Sequence, residues 1–193
     1  MGKISFKPGN MLYPVPAVMV SCRGSDGKDN ILTVAWTGTV CSDPAMVSIS
    51  VRPSRYSHAM IEDSKEFVIN LVTEELVKAA DFCGVKSGRD HDKWASCRLH
   101  RCEVPGVAAP GIGESPVNIG CRVVSEQSLG THTLFLAKVV SVQADDRYMD
   151  ESGRFHLGEA GLICYLHGEY RAMGRNLGTF GFSVKKKHRG HRT

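Results

Sequence analysis

The feature that most constrains this chain is residues 45–52 (AMVSISVR), where Val47, Ile49 and Val51 alternate with Met46, Ser48, Ser50 and Arg52. A period of two belongs to an extended strand with one face in an apolar core and the other toward something polar. Runs of similar style recur at short intervals. Residues 13–22 (YPVPAVMVSC) and 31–36 (ILTVAW) flank the polar turn 24–30 and predict a hairpin. Strands are also predicted over 66–72, 117–124, 132–142, 162–166 and 169–173. Residues 55–64 read as a short helix. A second helix is expected from Thr73, as N-cap ahead of Glu74 and Glu75, through about Phe82, with Gly84 ending it. Residues 86–93 and 104–114 are loops, the latter carrying Pro105, Gly106, Pro110, Gly111 and Gly113. The pattern predicts a mainly β protein with short helices, spaced as in an all-β barrel and forming one domain over residues 1–184.

Charge narrows the function classes. Of the 24 basic residues, five lie in residues 185–193 (KKKHRGHRT), and the remaining 19 face 20 acids. A body this close to neutral lacks the basic footprint of a nucleic-acid-binding domain. The nine-residue basic end is expected to be a mobile tail that aids solubility. The seven cysteines are an odd number without a Cys-x-x-Cys pair, which predicts reduced thiols and a cytoplasmic protein. The opening MGKISFKPGN has no apolar run for secretion, and no stretch approaches the ~20 apolar residues of a membrane-crossing helix. No G-x-G-x-x-G or G-x-x-x-x-G-K-[ST] loop occurs. His167-Gly168-Glu169 matches half of a zinc deaminase signature without its Pro-Cys-x-x-Cys partner, so no metal site is expected.

Three polar clusters fall at strand ends. The first is Asn30, Thr33 and Trp36, followed by Thr37, Thr39 and Ser42. The second, residues 50–57 (SVRPSRYS), brings Arg52 and Arg55 together with Ser50, Ser54, Tyr56 and Ser57 at a strand-to-helix junction. Guanidiniums, hydroxyls and helix N–H groups suit a phosphate there, while a solvated turn with a capped helix explains the same residues. The third is residues 87–94 (SGRDHDKW), with residues 130–133 (GTHT) further on. His132 either points into a site or satisfies a backbone carbonyl, and spacing does not separate the two. Trp36 and Trp94 are by default core residues, and Cys22 and Cys41 are by default packing rather than redox groups.

In order and spacing these segments resemble the flavin reductase-like family of FMN-binding split β-barrels, which includes flavoredoxins. The carriers are Pro14-x-Pro16, Asn30 before ILTVAWTG, Asp43-Pro44, SISVRPSRYSH, EFVINL, SGRDHDKW and GTHTLF, spread over residues 9–181. The resemblance implies a homodimer of six-stranded split barrels with non-covalent FMN near the subunit interface. Carried over by position, Asn30, Trp36 and Thr33 would lie near the isoalloxazine and ribityl. Ser50, Arg52, Ser54, Tyr56 and Ser57 would hold the phosphate and ribityl end. Lys93 and His132 would reach the flavin, and Tyr165 stands where an aromatic residue is common. Lys93 would favour the anionic reduced flavin, or would instead pair with Asp90 or Asp92. The implied activity is an oxidoreductase passing electrons from NAD(P)H, as co-substrate, through FMN to flavin, a ferric complex or another acceptor. Two alternatives are a flavoredoxin-type carrier that exchanges electrons with protein partners, and a flavin-free binding protein that keeps the barrel. The resemblance assigns no catalytic residue, nucleic acid or membrane.

Overall fold

In the computed structural model, which describes residues 1–185, the polar turn closes the expected hairpin between β2 (Val18–Arg23) and β3 (Asp29–Val34). Before it comes the two-residue β1 (Val15–Pro16). Both faces of β2 are buried. Val18, Val20 and Cys22 join one core cluster, and Met19 joins another. A strand buried on both sides needs apolar residues at odd and even positions, which is why this run lacks alternation. In β5 (Ala45–Val51) the alternation is as read, with Val47, Ile49 and Val51 buried and Met46, Ser48 and Ser50 half-exposed.

Between β3 and β5 lies β4 (Thr37–Ser42). After β5 come α1 (Tyr56–Ser64) and β6 (Glu66–Leu71), both as the residues predict. The second helix, α2 (Val77–Val85), departs from expectation. Thr73 is not its N-cap. It forms a β-bridge with Leu162, and Glu74 N–H donates to the Gly161 carbonyl, so extended pairing claims this backbone and delays the helix to Val77. Gly84 does not stop it, since the last turn runs through that residue.

The chain continues through α3 (Lys93–Cys97), β7 (Arg101–Cys102), β8 (Gly111–Ile112), β9 (Val117–Ser128) and β10 (Thr133–Ala144). It ends in β11 (Ile163–Leu166) and β12 (Glu169–Ala172), joined by a two-residue turn with positive φ at His167 and Gly168. His167 therefore sits in a hairpin turn, and half a deaminase motif has a conformational explanation. Of the tail expected at 185–193, all but Lys185 lies outside the described residues.

The main sheet is antiparallel, in the order β3-β2-β6-β9-β10-β5-β4. Its two edges are consecutive in the chain. They meet at Ala35-Trp36 with no ladder between them, so the sheet curls into a barrel split at that seam. Seven strands make it, not six: the extra one is β4, an edge strand whose side chains are largely exposed and show no apolar pattern. Inside pack Phe67, Ile69, Ile49 and Phe135, closed at one end by Met60 and Ile61 of α1. Burying each such aromatic or aliphatic side chain contributes about 1.5–3 kcal/mol. The second cluster lies outside the barrel, where Met19 and Ile31 meet Leu76, Ala80 and Cys83 of α2 and Trp94 of α3. A small sheet, β1-β11-β12, covers that flank.

Candidate functional site

Alternation along β5 sends Val51 into the core and leaves Ser50 and Arg52 facing outward. Its partner strand does the same: Thr133 lies opposite Val51 and is buried, while His132 before it is half-exposed. Ser50, Arg52 and His132 therefore reach one cavity of about 370 Å³ at the barrel seam. Thr33 and Trp36 from the end of β3, and Tyr165 from β11, complete its wall. Tyr165 arrives through the small sheet, where β1 pairs Val15 with it, and its ring packs between Tyr13 and Tyr170. Trp36 fixes the seam through its carbonyl, which accepts from the Ser50 N–H at 2.8 Å.

A second cavity of about 230 Å³ adjoins the first and shares Leu32, Arg52 and Arg55 with it. It holds the remaining predicted residues: Asn30, Ser54, Tyr56, Ser57 and Lys93. The Asn30 amide donates to Ser57 Oγ at 2.8 Å, joining β3 to the first turn of α1 beneath this cavity. All eleven residues singled out in the sequence thus line two adjoining cavities, although they come from five separate parts of the chain.

Two of them are turned onto backbone carbonyls of the scaffold. The Thr33 hydroxyl donates to the Ala80 carbonyl of α2, so it holds a helix rather than pointing freely into the cavity. Lys93 pairs with neither Asp90 nor Asp92. It is 3% exposed, and its ammonium donates to the carbonyls of Ile31 at 2.7 Å and Cys83 at 2.8 Å. Burial is the largest cause that pulls its pKa below the usual lysine value. Asp92 caps α3, accepting from the N–H groups of Trp94 and Ala95.

Three further cations complete the second cavity: Arg55, Lys86 and Arg89. Arg55 precedes α1 and donates to the Gly84 carbonyl at 2.9 Å. Arg89 donates to the Ser54 carbonyl at 3.3 Å and lies 5.4 Å from the centre of the Tyr56 ring. Both stood inside the polar clusters, but only the folded loop brings residue 89 beside residues 54 and 56. Five basic side chains and no carboxylate line this cavity, an arrangement that favours a compact anion. Gly88 admits the close approach: a Cβ there would overlap the Asn30 amide.

Other candidates have structural explanations. Trp94 is buried under the Arg101 guanidinium, which lies 4.5 Å from its ring. His91 packs edge-on against Phe82 and lines neither cavity. Burial pushes the Cys22 thiol up to about 11, so at neutral pH it is an apolar filler. His132 is held below its ordinary pKa by burial first and by the Arg52 charge second. An imidazole neutral at pH 7 either donates or accepts one proton at the mouth of the first cavity, beside its hydrogen-bond partner Thr131 Oγ1.

No helix among the described residues is long and apolar enough to cross a membrane. The fold is shared with the flavoredoxin of Desulfovibrio vulgaris (Miyazaki F), at a TM-score of 0.88 and 27% identity, over 95% of this chain and 100% of that one. An uncharacterized protein of Archaeoglobus fulgidus is 32% identical over 139 residues, covering 72% of this chain and 77% of its own. The reductase component of a 4-nitrophenol 4-monooxygenase/4-nitrocatechol 2-monooxygenase from Rhodococcus opacus is 28% identical over 66% of this chain and 65% of its own. The model of the flavin reductase like domain matches residues 10–174, spanning every strand of the split barrel and both cavities, and the chain belongs to that family.

Proposed function

We propose that the chain binds FMN non-covalently along the two cavities and acts as an oxidoreductase, moving electrons from NAD(P)H through the flavin to free flavin, a ferric complex or another acceptor. The observation that carries this reading is the join between an acid-free cavity with five cations and a cavity walled by Trp36, Tyr165 and His132. A phosphate at one end and a flat aromatic ring system at the other match that division of chemistry. The Arg52 guanidinium, at the boundary, has no hydrogen-bond partner among the described residues, so its fork is available to a ligand. Ser54 and Ser57 add hydroxyls beside the N-terminus of α1. The bound flavin supplies hydride acceptance and electron transfer. The chain orients it, balances its phosphate and excludes water with Leu32 and Val34. The Rhodococcus reductase component supports the enzyme reading.

The flavoredoxin-type carrier remains the second reading, favoured by the 27% identity to a flavoredoxin over nearly the whole chain. We also propose a homodimer, supported by the exposed apolar side chains Val40, Val124, Val140 and Val142 on the barrel wall. A reducing cytoplasm is the compartment that seven free cysteines suit. One experiment separates the functions: purified protein loaded with FMN is mixed anaerobically with NADH or NADPH. Rapid bleaching of the flavin supports the enzyme. Bleaching only by a ferredoxin-like donor supports the carrier, and protein that never retains FMN rejects both.

A further inference from the structure

His58 is a buried titratable side chain that the proposed flavin site leaves unused. It lies in the first turn of α1, next to Ser57, and is 7% exposed. Its Nε2 is 2.8 Å from Thr133 Oγ1, and its ring meets Phe135 edge-on with centroids 5.3 Å apart. Its other nitrogen faces outward, 3.7 Å from the Glu62 carboxylate. Thr133 is the first residue of β10 and stands opposite Val51, one residue before Arg52.

Strand alternation gives this bond its consequence. Thr133 and Phe135 point inward, so His132 and Leu134 point the other way. Fixing the Thr133 side chain therefore fixes the direction in which His132 leaves the strand. His58 itself belongs to the helix turn that carries Tyr56 and Ser57 into the basic cavity. One buried hydrogen bond, from α1 to Thr133, thus joins the anion-binding end of the site to the residue that follows His132 at its other end.

We propose that His58 is a positioning residue that, through Thr133, sets the direction of His132 and its spacing from the basic cavity. This rests on the flavin reading for its effect on affinity, but its effect on His132 can be read without any ligand. The alternative role is purely structural: His58 would do no more than satisfy a buried hydroxyl. Removing both polar partners at once distinguishes the two, because an apolar pair of similar shape restores packing without restoring the bond.

The test compares wild type, Thr133→Ser, Thr133→Val and the double variant His58→Phe/Thr133→Val, all as the full chain. Three quantities are measured: the thermal unfolding midpoint, the NMR titration of the His132 imidazole in the apo-protein, and FMN affinity by flavin fluorescence. Thr133→Ser keeps the hydroxyl and is expected to match wild type. The double variant is expected to unfold near the wild-type midpoint, yet with a displaced His132 titration and FMN bound roughly fivefold more weakly, the worth of one lost hydrogen bond. Thr133→Val, a near-isosteric change that leaves His58 in place, is expected to displace the His132 titration in the same sense. A double variant with wild-type His132 titration would overturn the proposal, whatever its affinity. A wild-type protein that does not bind FMN would instead reject the flavin reading and leave the His132 comparison to decide this one.

Discussion

Lys93 Nζ donates to the Ile31 carbonyl at 2.7 Å, tying the start of α3 to β3, and a second bond to the Cys83 carbonyl ties it to α2. The ammonium thus holds three elements together beneath the basic cavity. Lys93→Met keeps the stem but leaves both carbonyls without this donor, and is expected to lower the unfolding free energy by about 2 kcal/mol, read from urea denaturation of the apo-protein. The sign of the pH dependence follows from burial, which holds the folded-state pKa below 10.5. The unfolded chain binds this proton more tightly. Stability should therefore rise as pH rises through the interval between the lowered value and 10.5, and the Met variant should lack that rise.

His132 and Arg52 make the second prediction. Burial and the Arg52 charge hold the imidazole below 6.5 in the folded protein. Its contribution to stability is therefore present above pH 6.5 and is lost as pH falls toward the lowered value. Arg52→Gln removes the second cause and should raise the midpoint of the His132 NMR titration. The same variant should weaken FMN binding by about tenfold or more, as expected for a lost charge-assisted fork. An unmoved His132 midpoint would show that burial alone sets it.

Gly88 tests the geometry of the basic cavity. Its missing Cβ leaves room for the Asn30 amide, which in turn holds Ser57. Gly88→Ala must push Asn30 or the 86–92 loop aside, so FMN affinity should fall by about tenfold while stability falls by only about 1 kcal/mol. Isothermal titration and thermal melting, run side by side, separate the two effects.

Asn70 tests the scaffold. Fully buried on β6, its amide donates to the Met19 carbonyl and Ser21 Oγ, and accepts from the Ile112 N–H and the Asn118 side chain. This network pins the glycine-rich connection 104–114 against the barrel. Asn70→Leu strands several buried polar groups and should cost about 3 kcal/mol. At a temperature where the variant stays folded, FMN affinity should be unchanged, because no residue of the network lines either cavity.

The sequence was informative where burial is one-sided or turns are chemically explicit. The alternation in residues 45–52, the start of α1 and the polar turn predicted at 24–30, whose last two residues belong to β3, could be read almost directly, because core exposure and turn backbone act on individual residues. The ends of β9 and β10 were less legible. Both strands run past the expected limits, β9 through the polar, exposed residues 125–128 and β10 by Gln143 and Ala144, where pairing with each other replaces core burial as the organising force. The strand at 37–42 was missed for the same reason. The false cap at Thr73 came from a local signal overridden by a partner 89 positions away, at Leu162.

By itself, then, the sequence determined a mainly β barrel with short helices, which follows from local patterns of polarity and turn chemistry. The family and the eleven candidate site residues came from the resemblance that its ordered motifs carry. Tertiary structure decided how the set is divided and which members are free. It placed Arg55, Lys86 and Arg89 with Arg52, turned Lys93 onto two carbonyls and Thr33 onto a helix, and brought Tyr165 across through the small sheet. Charge and hydrogen-bonding capacity are written in the residue types. Which partner claims each group depends on chain segments tens of residues apart, and only the closed fold brings those together.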